Sequence, residues 1–213
     1  MRFYSRLILV LLSAPLGLSA PPSTAANNSG LSADIVTIYR VGGRLVTTKG
    51  HYYRSSDGRL REDSELGALI LDMAKPTLTT LSFERQEAVV FAFPGGETRP
   101  AGVTSRPPMP LGHAVHDGHP VTKSRVTMAD GVTQETWTAD ELGVVVLSQL
   151  ETSTATTIRE LTNISRRKPA DSLFEVPHGF ILRREVLPAT SSLAGLSGQL
   201  PSVANRLPPG SSN

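Results

Sequence analysis

Cysteine is absent from the 213 residues. That excludes disulfides, thiolate metal sites, cysteine nucleophiles and lipidation of an N-terminal cysteine. Aromatic residues make up 5%, too few for a base-stacking surface. No apolar run reaches the about 20 residues that a membrane-spanning helix needs. Strong charge is missing as well: the formal net charge is +2. The one dense basic cluster, Arg166-Arg167-Lys168, adjoins Pro169 and reads as a solvated turn. The clustered positive field that nucleic acid demands is therefore not there. What remains is 39% hydrophobic and 19% charged, an ordinary composition for one globular domain.

The chain opens with Arg2 and Arg6, then runs Leu7 to Leu12 without a polar residue before Ser13, Pro15 and Gly17 interrupt it. A positive start followed by a short apolar core is the pattern of a cleavable export signal. Thr24-Ala25-Ala26 supplies small residues where a signal peptidase needs them, so residues 1–26 are expected to leave, with Ala25 as the alternative cut. Removal takes two arginines and no acid. The mature chain then carries 19 basic and 19 acidic residues and no net charge. It is expected in the periplasm or outside the cell, and not as an integral membrane protein.

From residue 27 to 187 turn chemistry recurs at short intervals. Gly42-Gly43, Asp57-Gly58, Asp117-Gly118, Asp130-Gly131 and Asp140–Gly143 punctuate runs rich in β-branched and aromatic residues. Asp-Gly favours the positive φ angles of tight hairpins. The expected strands are Asp34–Tyr39, Arg44–Tyr53, Arg59–Glu65, Thr77–Phe83, Ala88–Phe93, Val121–Met128, Val132–Trp137, Val144–Leu150 and Thr156–Ile164. Such spacing predicts an all-β antiparallel sheet or barrel. The connections are too short for crossover helices, so parallel pairing is not expected. Glu65–Ala74 fits a short helix or a buried strand equally well. Pro94–Pro110 is expected as a long Pro/Gly loop, and 188–213 as a disordered Pro/Ser/Gly-rich tail.

Several stretches together carry a family likeness. They are Tyr53–Glu62, Leu111-Gly112 with Asp117-Gly118, Glu135–Val146, and Leu161–Ile164 with Asp171–Pro177. In order and spacing, from about Ile35 to Phe180, the chain resembles an uncharacterised secreted bacterial domain of unknown function, grouped with the lipoprotein-carrier (LolA-like) fold. The resemblance implies a mainly β domain: one strongly curved antiparallel half-barrel sheet with few short helices and an apolar concave face. In the lipoprotein carriers that face holds acyl chains.

Each candidate site has a structural alternative. Tyr53, Phe91, Phe93, Trp137 and Leu147 are large apolar side chains on expected strands. They are candidates for lining an apolar ligand site, and equally ordinary core. His113, His116 and His119 flank Asp117-Gly118. If that pair is a hairpin turn, His116 and His119 share a face and His113 takes the other. Only His116, His119 and Asp117 then remain as a weak metal set, and exposed hairpin histidines are the default. No Gly-x-Ser-x-Gly elbow and no phosphate loop occurs. No catalytic residue, metal or cofactor is expected. The sequence thus points to an exported, non-catalytic protein that holds an acyl chain or lipoprotein segment in its concave face. The alternative is an envelope assembly protein that docks a partner protein through its sheet.

Overall fold

The structure is a computed structural model, and it describes residues 30–65, 67–92, 107–128 and 131–186. The expected export signal, most of the Pro/Gly loop and the tail lie outside the described residues. Twelve strands follow in chain order. They are β1 Leu31–Val41, β2 Arg44–Arg54, β3 Leu60–Ser64, β4 Gly67–Asp72, β5 Thr77–Ser82, β6 Glu87–Ala92, β7 Met109–His116, β8 His119–Thr127, β9 Thr133–Ala139, β10 Val144–Glu151, β11 Ala155–Ser165 and β12 Ile181–Val186. The only helical turn among the described residues is a four-residue 3-10 segment, Asp171–Phe174.

Strand alternation sets the architecture. In β1, Leu31, Ala33, Ile35 and Thr37 are buried, while the residues between them are half-buried. This period of two assigns one face of each strand to an interior. All twelve strands join one sheet in the order β12-β6-β5-β4-β3-β2-β1-β11-β10-β9-β8-β7. The sheet is curved and does not close, since β12 and β7 stand at its two ends.

The curvature can be read from one ion pair. Arg159 of β11 binds Glu62 of β3. Two strands, β1 and β2, lie between them. In register, Arg159 faces Thr37 and then Thr48, whereas Glu62 faces Tyr52. A flat sheet would separate the two Cα atoms by three strand spacings, about 14 Å, and by four residues along the strand, about 13 Å. Side chains cannot span that diagonal. They meet because the sheet folds over them, so their face is the concave one.

Two apolar clusters hold the sheet. One joins Leu31, Ala33, Ile35, Tyr52, Val121, Val146 and Leu161 on the central and C-terminal strands. The second lies on the outer side of β4 to β6, where Ala68, Ile70, Leu81 and Ala88 are covered by Phe174. Arg61, opposite Ile70 in register, donates from its guanidinium to Leu173 O at 2.5 Å. The segment after β11 thus straps the outer face before entering β12.

Two expectations change, and one open alternative is settled. β12 pairs with β6 in parallel, Ile181 opposite Glu87. Short connections do not govern this pair, because the chain between β6 and β12 is the entire other half of the domain. The ambiguous Glu65–Ala74 stretch contains strand β4, since its apolar residues alternate between two buried faces. β7 begins at Met109, inside the end of the expected loop, despite Pro110. Its register slips between Pro110 and Gly112, and a sheet end tolerates both a proline and a bulge.

Candidate ligand-binding hollow

The concave face is apolar with a polar centre. Direct cross-strand pairs share a face, which allows the hollow to be followed strand by strand. Leu60 faces Leu71, Leu71 faces Leu78, and Leu78 faces Phe91. Leu71 and Leu78 are buried. Across β1 and β11 the same face carries Ala33, Ile35 and Leu161.

At the centre stands Arg159. Its guanidinium binds Glu62 and lies 5.2 Å from the centre of the Tyr52 ring. The pair is largely shielded, with side chains 12% and 14% exposed. Burial, offset by Arg159, pushes the Tyr52 phenol up to about 12. Burial likewise raises Tyr39, with Glu62 adding to the shift. Ser148 faces Arg159, and Thr136 faces Ser148; two residues further along, Leu150 faces both Thr157 and Gln134. Gln134 and Ser148 are therefore on the hollow side, and both are buried. Two buried donors there have no hydrogen-bond partner among the described residues: Arg159 Nε and Gln134 Nε2. Buried N–H groups are paired in the great majority of cases, so each is a position where an acceptor would be gained.

The candidates named from sequence scatter. Phe91 lies on the concave face. Tyr53 follows Tyr52 on a regular strand and so takes the outer face, where it packs with the second cluster. Leu147 precedes the buried Ser148 and points away from it. Trp137 sits opposite Leu147, beside a register slip between Val145 and Leu147. Its Nε1 donates to Glu135 at 2.8 Å, Lys123 Nζ stands 5.2 Å from the ring, and the His116 ring meets it edge-on. Phe93 lies outside the described residues. Tyr52, Glu62, Arg159 and Gln134 do not stand out in the sequence. Only register separates Tyr52 from Tyr53, and nothing local in the sequence announces an ion pair across two intervening strands.

The histidine hairpin forms as expected. Asp117 and Gly118 both have positive φ, 48° and 78°, and His116 faces His119. The side chains nevertheless diverge. His116 Nε2 donates to Leu161 O at 3.1 Å, His119 Nδ1 to Glu141 Oε1 at 2.7 Å, and Asp117 accepts from the Asn163 backbone at 2.8 Å. The hydrogen bond from His119, with Arg166 beyond it, holds the Glu141 carboxyl below its ordinary range. His113 is exposed as expected, but His116 is only 10% exposed in its side chain and forms part of a clasp that pins the hairpin tip onto β11. Among the described residues no group of three or more His, Asp or Glu side chains converges in a way that could hold a metal.

No protein-family model matches the chain, and no curated protein matches it. Solved structures do. An uncharacterized conserved protein from Thermus thermophilus aligns with a TM-score of 0.54 at 8% identity, over 74% of this chain and 91% of its own. PNGF-II aligns at 0.50 and 14% identity, over 78% of this chain but 33% of its own, so this chain spans about a third of that protein. The similar structures also include a LolA superfamily protein from Nitrosomonas europaea, with a TM-score of 0.39, 8% identity and coverage of 70% and 90%. At these identities the likeness concerns the fold alone. The architecture is a mainly β, single curved sheet left open at its ends. All twelve described strands belong to that one sheet.

Proposed function

We propose that this protein is an exported, non-catalytic carrier that holds an acyl chain in the hollow of its sheet. The observation that carries the reading is the Arg159–Glu62 pair, which marks how deeply the sheet folds around an interior built from one layer of strands. Leu60, Leu71, Leu78 and Phe91 give that interior an apolar wall. The two unpartnered donors define the headgroup. Arg159 is already neutralised by Glu62, so a second buried carboxylate would add an uncompensated charge at a cost of several kcal/mol. An ester or amide carbonyl satisfies the donors without that charge. The ligand class is therefore an acyl ester or acyl amide, such as the acylated end of a lipoprotein, in preference to a free fatty acid. Export follows from residues 1–26, read as a signal. Among the described residues no helix is long and apolar enough to cross a membrane.

The test is native mass spectrometry of protein purified from its own cell envelope, followed by thermal melting with added ligand. A bound acyl lipid, and a larger rise in melting temperature with monopalmitoylglycerol than with palmitate, are expected. A bare polypeptide mass with no response to either compound would overturn the reading.

A further inference from the structure

β2 pairs with β1 along its whole length, from Leu31 opposite Arg54 to Val41 opposite Arg44, without a register slip. On its other side it pairs with β3 only from Gly50 to Arg54. Arg44–Lys49 is consequently a free edge in the middle of the sheet, beside the end of β3. All six residues are exposed, and Leu45 and Val46 are 60% and 52% exposed. Six residues of strand at about 3.4 Å each make an edge about 20 Å long whose outward N–H and C=O groups lack a strand partner among the described residues.

The sheet's terminal strands carry protection that this edge has only in part, as Arg44 and Lys49 at its two ends. β7 carries Pro110 and a register slip, and β12 carries Arg183, Arg184 and Glu185 in succession. Both devices discourage strand addition. Arg44–Lys49 has neither proline nor bulge. Its charges exclude one partner in particular, a second copy of itself. Two such edges meeting antiparallel about a two-fold axis would set Arg44 opposite Lys49 of the other copy, twice. Like charges directly opposite are destabilising. The same two cations favour an acidic partner. No Asp or Glu occurs from residue 35 to 56, whereas Arg40, Arg44, Lys49 and Arg54 do.

We propose that Arg44–Lys49 is a strand-addition site for an extended peptide segment of a partner protein, one with acidic residues placed opposite Arg44 and Lys49. Main-chain hydrogen bonds provide the affinity and the two cations set register and selectivity. The site is separate from the hollow and acts whether or not a lipid is bound there.

The probe is the acetylated, amidated peptide Glu-Val-Thr-Ile-Thr-Glu, titrated to millimolar concentration into the full mature chain and followed by amide NMR. Saturable shifts confined to residues 44–49 and their β1 neighbours are expected. The peptide with lysine in place of both glutamates should bind at least tenfold more weakly. In the Arg44→Glu, Lys49→Glu variant that preference should invert. The single variant Arg44→Glu removes the like-charge block and should dimerise in sedimentation. No shifts at 44–49, shifts elsewhere only, or equal binding of both peptides would overturn the proposal, and none of these results bears on acyl-lipid binding.

Discussion

Replacing Arg159 with methionine leaves Glu62 in the hollow without its counter-charge. Two unit charges about 4 Å apart attract by about 4 kcal/mol at an effective dielectric near 20. Desolvating both ions costs several kcal/mol each, so the intact pair is close to neutral in net stability. The single variant keeps the desolvation of Glu62 and loses the attraction. It also loses the cation–π contact with Tyr52, worth about 0.5 to 2 kcal/mol. Arg159→Met is therefore expected to destabilise the domain by about 3 to 5 kcal/mol, a large part of the 5–15 kcal/mol typical of a whole domain. The double variant Arg159→Met, Glu62→Leu removes both charges and should recover to within about 1 kcal/mol of the parent, because apolar replacement of a buried pair is often neutral. Urea unfolding of the parent, both single variants and the double variant at neutral pH gives the coupling energy directly. If Arg159→Met costs less than about 1 kcal/mol, or the double variant is no better than the worse single one, the two charges are not shielded together. In that case the sheet does not fold over the pair.

The Tyr52 phenol is raised to about 12 from an unfolded value near 10. A raised phenol favours the folded state below pH 10 and loses that contribution between about pH 10 and 12, an effect of about 2 to 3 kcal/mol. Tyr52→Phe should be correspondingly less sensitive to alkali in denaturant titrations across this window, and equal sensitivity of parent and variant would refute it. At Gly50 an added Cβ would stand 1.7 Å from the Asp63 carbonyl oxygen, which is backbone and cannot swing aside. Gly50→Ala is expected to cost at least about 2 kcal/mol and to speed hydrogen exchange along β2 and β3 selectively. Unchanged exchange there would show that the strands can separate at no cost.

Much of the sheet was legible because its signals are local. Asp-Gly pairs and β-branched runs place the hairpins, and Asp117-Gly118 adopts the two positive φ angles that its composition favours. The parallel β12 was not legible, since pairing Ile181 with Glu87 depends on a route through the whole fold. The hollow was half legible. Large apolar residues such as Phe91 identify themselves as interior, but which of two adjacent tyrosines turns inward depends on register. Arg159 and Glu62 look like two solvated charges in the sequence, and only curvature brings them together. The histidine hairpin shows the converse: the turn was foreseeable, but the fate of its side chains was decided by Leu161, Glu141 and Asn163, which lie outside the hairpin.

The position of β1 bears on the order in which the chain can fold. Its neighbour β2 follows after a two-glycine turn, but its other neighbour β11 arrives more than 100 residues later. Until then the middle of the sheet has an unmatched border along β1, and β6 likewise waits for β12, the last strand in the chain. Pairings so distant along the chain make assembly slow and leave sticky borders open meanwhile. A chain halted before residue 155 retains a hairpin core with no seam to close it, so the domain completes itself only when nearly all of it is available at once.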